Sequence, residues 1–187
     1  MRVIAGSVKG RRLKGPPERS RRGKTPVTRP SSDLVRESLF STLDAMGADF
    51  SRVLDLYAGS GALGIEALSR GGGRCDFVER QNAACRLIAE NLGLTGFESQ
   101  ADVLCMRAEK ALGKLDGPYT LVLADPPYAD DAAPAVMETL AESRLVIAGE
   151  TVIALEHSAR EESRAALGSF SLVKSRRHGD SAVSIYR

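Results

Sequence analysis

The 187-residue sequence has no tryptophan, only two histidines and three cysteines, and an aromatic content of 5%. With so few histidines and cysteines, and no ligand spacing among them, no metal site is expected. Cys75, Cys85 and Cys105 make neither a CxxC pair nor an even disulfide framework. They are expected to be buried thiols in a reducing, cytoplasmic setting. No apolar run approaches the ~18–20 residues of a membrane-spanning helix. The opening Met1-Arg-Val-Ile-Ala-Gly-Ser also lacks the apolar stretch of a secretory signal. No heptad pattern or large apolar patch calls for a partner chain, so a monomer is expected. What is present is ordinary for a folded domain: 43% hydrophobic and 27% charged residues, which excludes wholesale disorder.

The formal net charge of +2 conceals an uneven distribution. Residues 1–36 hold 8 Arg and 3 Lys against Glu18 and Asp33, a balance of +9, and the remainder carries −7. A basic segment on an acidic body suits a polyanion, because Lys and Arg displace counterions condensed on phosphate. Charge alone leaves a solvated, solubilising tail equally open.

Residues 2–5 and 11–13 flank Gly6 and Gly10, which predicts a short hairpin. An Arg-, Ser- and Pro-rich loop follows from Gly15 to Pro30. Val35, Leu39, Leu43 and Met46 then mark one helical face, with Ser31 or Ser32 as cap. From residue 52 short apolar strands alternate with amphipathic helices. Strands are predicted at Arg52–Tyr57, Cys75–Glu79, Ala101–Cys105, Thr120–Ala124 and Thr151–Leu155. Phe170–Lys174 and Ser181–Ile185 read as a C-terminal antiparallel hairpin. This pattern predicts an α/β, Rossmann-like fold with a mostly parallel sheet and helices on both faces. Residues 1–30 are assigned to the basic hairpin and loop, and residues 31–187 to the domain proper.

Gly59-Ser60-Gly61-Ala62-Leu63-Gly64 is a G-x-G-x-x-G turn between a strand and a helix, with Glu79 twenty residues on. Such glycines let the backbone approach a ligand, and the acid receives ribose hydroxyls. Alone, the pattern suggests a nicotinamide cofactor. Asp55 inside the first strand, with Tyr57 two places on, suits a cationic amino-acid moiety better than a pyrophosphate. A ribose for Glu79 and an ammonium for Asp55 together describe S-adenosylmethionine.

Asp125-Pro126-Pro127-Tyr128 follows the fourth strand. Two prolines remove two backbone donors and hold the segment extended, with its carbonyls free to accept. A carboxylate, a rigid carbonyl and an aromatic ring make a receptor for a flat base bearing an amino group.

These blocks resemble class I S-adenosylmethionine-dependent methyltransferases acting on exocyclic amines. Arg29-Pro-Ser-Ser-Asp-Leu-Val-Arg-Glu-Ser-Leu-Phe, Gly61-Ala-Leu-Gly-Ile-Glu-Ala-Leu-Ser-Arg-Gly and His178-Gly-Asp-Ser-Ala-Val-Ser-Ile-Tyr-Arg narrow the likeness. Together they are similar to the RsmD family, bacterial 16S rRNA (guanine-N2)-methyltransferases, along nearly the whole chain. The resemblance implies that Asp55, Tyr57, Gly59 and Gly61 line the cofactor, with Glu79 on its ribose and Arg80 beside it. At the adenine the family carries Asp or Asn followed by Ala. This chain has Arg107-Ala108 there, with Asp102 as a substitute side chain.

The function implied is methyl transfer to the N2 amine of a guanine in 16S rRNA or a small ribosomal subunit. Asp125, Pro126, Pro127 and Tyr128 would be catalytic. Arg11, Arg12, Arg21, Arg22, Lys24 and Arg29 would contact phosphates, with Arg176 and Arg177 as a second patch. His157, after the fifth strand, could be a base but is more often structural at such a position, and Glu156 beside it would help frame the pocket. The alternatives are an adenine-N6 or glutamine-N5 methyltransferase, a nicotinamide-dependent dehydrogenase, and a non-catalytic RNA-binding protein. A chain this short leaves no room for the separate target-recognition domain of a sequence-reading DNA enzyme.

Overall fold

A computed structural model describes residues 1–15 and 30–187. Helix α1 (Pro30–Ala45) precedes β1 (Arg52–Leu56), α2 (Ala62–Ser69), β2 (Arg74–Glu79), α3 (Asn82–Thr95), β3 (Ala101–Cys105) and α4 (Ala108–Ala111). Then come β4 (Leu121–Ala124), α5 (Ala133–Ala141), β5 (Val152–Ser158), β6 (Ala166–Leu167), β7 (Phe170–His178) and β8 (Ser181–Tyr186).

The strand order is β3-β2-β1-β4-β5-β8-β7-β6. Strands β1 to β5 pair in parallel, while β8 runs antiparallel to both β5 and β7. This is the Rossmann-like arrangement that the alternating pattern predicts, with the C-terminal antiparallel hairpin closing one side. The chain reverses its winding between β1 and β4, which opens a crevice at their carboxyl ends.

Side chains alternate between the two sheet faces. Val53, Phe77, Leu123 and Ala154 face α1, α2 and α3, and bury Phe40, Leu43, Ile65 and Ile88. Leu54, Val78, Val122 and Ile153 face α4 and α5, and bury Ala111, Met137 and Leu140. A parallel sheet covered on both sides needs apolar residues at consecutive positions, which is why β4 reads Leu-Val-Leu-Ala.

The N-terminal hairpin is smaller than a two-stranded ribbon, with one bridge between Arg2 and Arg12. It is tied to the body by Glu66 of α2, whose carboxylate is fully buried. Glu66 accepts the N–H groups of Ile4 (2.7 Å) and Ala5 (3.0 Å), and Arg70 Nε donates to it at 2.9 Å. Val3 and Leu13 join the core under α1 and α3.

The cysteine expectation needs correction. Cys75 is free and buried, but Cys85 and Cys105 are bonded to one another, with Cα atoms 5.9 Å apart. Cys105 ends β3 on the face where α3 packs, and Cys85 lies in the first turn of that helix. The twenty-residue interval is one helix–strand excursion, and the strand runs back alongside the start of the helix. Spacing alone carries no sign of that return.

Candidate active site

The glycine turn begins where β1 ends. Tyr57 has φ +65°, and among the described residues it is the one non-glycine with positive φ. Gly59 (φ +57°) and Gly61 (φ +77°) repeat the left-handed conformation. A non-glycine residue held there costs ~1–3 kcal/mol, and such strain clusters at functional sites. The predicted strand therefore stops at Leu56, one residue short of expectation, and Tyr57 belongs to the turn. The third glycine serves packing: a Cβ on Gly64 would lie 2.4 Å from Phe77 Cε1 and 2.7 Å from Cys75 Sγ. A Cβ on Gly59 would meet only the Tyr57 carbonyl, at 4.0 Å, so open space remains beside the turn.

Two acids brace this loop. Asp55, 1% exposed, accepts the Gly64 N–H at 2.8 Å. Burial pushes its carboxyl up to about 8, against the pull of that hydrogen bond and with help from Asp125 and Glu79. Glu79 at the end of β2 accepts the N–H groups of Gly59 (3.0 Å) and Gln81 (2.8 Å). Each carboxylate oxygen still has lone-pair capacity for a hydroxyl.

Tyr57 is partly buried and its phenol is pushed above the ordinary range, by burial first and then by Asp130 and Glu109. Arg80 lies 3.8 Å from Asp130, in the loop after β4. Arg107 is exposed and stands at the amino end of α4, directly before the buried Ala108. Asp102 does not fit the substitute role: it lies near the amino end of β3, away from the crevice, and bonds Arg74. Arg107-Ala108 thus remains at the crevice without a side-chain acceptor from Asp102.

Asp125 N–H donates to the Leu56 carbonyl at 3.4 Å, joining the tetrad to the end of β1. Asp125 is exposed at the crevice. Desolvation by the surrounding chain, followed by repulsion from Glu156, lifts its carboxyl to about 7. The Pro127 carbonyl is occupied by the Asp130 N–H at 2.8 Å, whereas the Pro126 carbonyl accepts no bond among the described residues. Tyr128 is 53% exposed, and its hydroxyl meets Ser181 Oγ at 2.5 Å. Behind the tetrad, on the α5 side, a cavity of about 260 Å³ is walled in part by Pro126, Tyr128, Met137, Leu155 and His157, but not by Asp125. His157 is held by Ser184 Oγ (2.8 Å) and the Ser158 carbonyl (3.0 Å), the structural role weighed for it in sequence.

Arg11 and Arg12 are exposed on the docked hairpin, and Arg176 and Arg177 are exposed on β7. Arg21, Arg22, Lys24 and Arg29 lie outside the described residues. Sequence reasoning missed Asn91, which is fully buried on α3. Asn91 accepts the Lys14 N–H (2.8 Å) and donates to the carbonyls of Lys14 (3.0 Å) and Ser60 (2.9 Å). One side chain therefore fixes both the basic hairpin and the glycine turn. Its only sequence signal is an amide among the apolar positions of a helix.

The arrangement can hold an adenosine-bearing cofactor along β1 and β2, with acceptors for an amine at the end of β4. Comparison with known proteins identifies the family. The Bacillus subtilis protein YlbH is 36% identical over 190 residues, covering 100% of this chain and 98% of that protein. Ribosomal RNA small subunit methyltransferase D of Escherichia coli is 30% identical over 187 residues, covering 100% and 89%. The solved structure of the Escherichia coli protein yhhF superposes with a TM-score of 0.79 at 30% identity, covering 100% of this chain and 96% of that one. A family profile described as "Conserved hypothetical protein 95" matches residues 1–187, and the chain belongs to that family, the RsmD family of class I methyltransferases.

Proposed function

We propose that the protein is an S-adenosylmethionine-dependent methyltransferase acting on the exocyclic N2 amine of a guanine in small-subunit (16S) ribosomal RNA. The observation that carries this reading is the pair of acceptors at the switch point left without a donor among the described residues, the Asp125 carboxylate and the Pro126 carbonyl. Relatives support the choice of polyanion, since the Escherichia coli one is named a ribosomal RNA small subunit methyltransferase.

The residues present fit the cofactor. Glu79 has acceptor capacity for two ribose hydroxyls, Asp55 can ionise against the ammonium of the amino-acid end, and the space at Gly59 lets backbone approach. The Arg107-Ala108 backbone stands where an adenine would be met, with Arg80 and Tyr57 nearby. Bound there, the cofactor supplies an electrophilic methyl group on a sulfonium.

Everything else falls to this chain. An aromatic amine is a poor nucleophile because its lone pair is delocalised into the ring. Asp125 and Pro126 accept its two N–H bonds, which localises electron density on nitrogen and fixes the direction of the lone pair. Tyr128 offers a face for the base to stack on. Such orientation draws on the ~7–11 kcal/mol available from proximity. Asp125, with its carboxyl near neutrality, is suited to take the proton the amine sheds. Exposed Arg11 and Arg12 serve phosphates, which position RNA without reading its bases.

The test is tritiated S-adenosylmethionine with small subunits that lack the modification, followed by nucleoside analysis. Label in N2-methylguanosine is expected. Label in N6-methyladenosine, in protein, or nowhere overturns the reading.

A further inference from the structure

Glu156 stands beside Asp125 at the carboxyl edge of the sheet. The pairing of β4 with β5 aligns Ala124 with Leu155, so the next residue on each chain is Asp125 and Glu156. Residues in register on neighbouring strands point to the same face. Leu123 and Ala154, two positions earlier, define that face as the one covered by α1, α2 and α3. Glu79 and Asp55 follow the same alternation on β2 and β1, with Phe77 and Val53. Four acids thus line one side of the edge, yet they differ in what holds them. Backbone N–H groups hold Asp55 and Glu79. Among the described residues, neither the Asp125 nor the Glu156 carboxylate accepts a hydrogen bond or pairs with a cation.

Two adjacent acids without partners repel one another, and Glu156 adds to the lifting of the Asp125 carboxyl. Folding tolerates that repulsion where a ligand brings the missing donors. A second feature says what kind of ligand. The Tyr128 hydroxyl reaches Ser181, and Ser181 pairs with Ser158, two residues beyond Glu156. The phenol therefore spans from the β4 loop to β8, across the carboxyl end of β5. The ring thus stands at the same carboxyl edge as the two acids, where a flat base can stack on it.

Guanine carries two adjacent donors, N1–H and N2–H, on its Watson–Crick edge. Adenine and cytosine place an unprotonated ring nitrogen beside their amine, and uracil has no amine. An extruded base is read on that edge. We propose that Glu156 accepts the N1–H of the target guanine while Asp125 accepts an N–H of its 2-amine, so that Glu156 selects guanine. This inference rests on the guanine reading above and adds the residue that enforces it. A base with a bare N1 would aim its lone pair at a carboxylate, and sites built around a hydrogen bond reject such analogues by large factors.

The experiment uses small subunits rebuilt around RNA carrying guanine or 2,6-diaminopurine at the position the wild-type protein labels. Diaminopurine keeps the 2-amine and has an unprotonated N1. The wild type is expected to prefer guanine by ~10³-fold or more in kcat/KM. Glu156→Gln loses ~10–100-fold on guanine, as for a charge-assisted hydrogen bond made neutral. Its amide N–H can serve the bare N1, so the preference narrows at least ~tenfold. Glu156→Ala loses on guanine without gaining on diaminopurine. Equal losses on both bases in Glu156→Gln assign Glu156 a structural role and overturn this inference, leaving the guanine reading intact. Wild-type label on any atom other than guanine N2 overturns both.

Discussion

Asp55 Oδ2 accepts the Gly64 N–H at 2.8 Å in a site 1% open to solvent. The acid at the end of β1 thereby locks the first turn of α2, and with it the glycine turn between them. It does so at a cost, because burial lifts its carboxyl to about 8. A proton stays on the native chain over a range where the unfolded chain has already lost it.

The sign of the pH effect follows from that difference. Between about pH 4 and 8 the native state binds more protons at Asp55 than the unfolded state, so stability falls as pH rises through the window. Asp55→Asn keeps an acceptor for Gly64 and removes the penalty. The variant is expected to melt higher than wild type by ~2–8 °C near pH 8, the range for ~1–2 kcal/mol, and by less near pH 5. It should also bind S-adenosylmethionine more weakly, because an amide cannot ionise when the cofactor's ammonium arrives. Scanning calorimetry at both pH values, with titration of the cofactor, checks both parts. A variant less stable at both pH values would show the hydrogen bond outweighing the burial.

The parallel sheet and the glycine turn were legible because both are local. Consecutive apolar residues mark a covered strand, and G-x-G-x-x-G announces a strand–helix corner. What the sequence hid lies in partners far along the chain. Strand β5 continues to Ser158, three residues past its apolar stretch, because β8 pairs with Glu156, His157 and Ser158. That extension is what places Glu156 in register with Asp125. Glu66 and Asn91 are polar side chains on helices, yet both are fully buried and hold backbone from residues 4, 5 and 14. Strand β6 has two residues and no periodicity to detect.

The two glycines of the turn separate stability from binding. At Gly64 a Cβ would press 2.4 Å from Phe77 Cε1, between a helix and a buried strand that cannot part. Gly64→Ala is expected to lower stability by ~1–3 kcal/mol or more through overpacking. At Gly59 the added carbon meets open space but a φ of +57°, so Gly59→Ala costs ~1 kcal/mol in conformation. Its larger effect is on the cofactor, whose approach to the backbone it obstructs. Denaturant melts and cofactor titrations should rank the two variants in opposite orders. The same ranking in both would remove the functional reading of Gly59.

Asp125 sets the pH dependence of turnover. Its carboxyl is lifted to about 7, chiefly by desolvation and then by Glu156, and only the anion can take the proton. Activity at saturating cofactor should rise with pH through about 7 and level off above it. Asp125→Asn should lose ~10²–10⁴-fold in kcat while binding cofactor nearly as wild type does. A flat profile between about pH 6 and 8 would remove Asp125 from the proton-accepting role.

The basic hairpin offers a test of RNA contact that is independent of chemistry. Glu66 and Asn91 dock residues 1–15 against α2 and α3, so Arg11 and Arg12 are presented from a fixed base. Neither Arg side chain forms an ion pair among the described residues, and both are exposed. Each phosphate contact releases ~0.9 of a counterion on duplex and ~0.7 on single strands. If both arginines touch phosphate, Arg11→Ala/Arg12→Ala should flatten the slope of log affinity against log salt by ~1.4–1.8. Cofactor affinity should stay unchanged, because the hairpin is held by its backbone rather than by these side chains. Filter binding of small-subunit RNA across a salt series measures the slope. An unaltered slope would leave the two residues as solvated surface charge, and the phosphate contacts would then have to come from elsewhere, with Arg176 and Arg177 next in line for the same substitution.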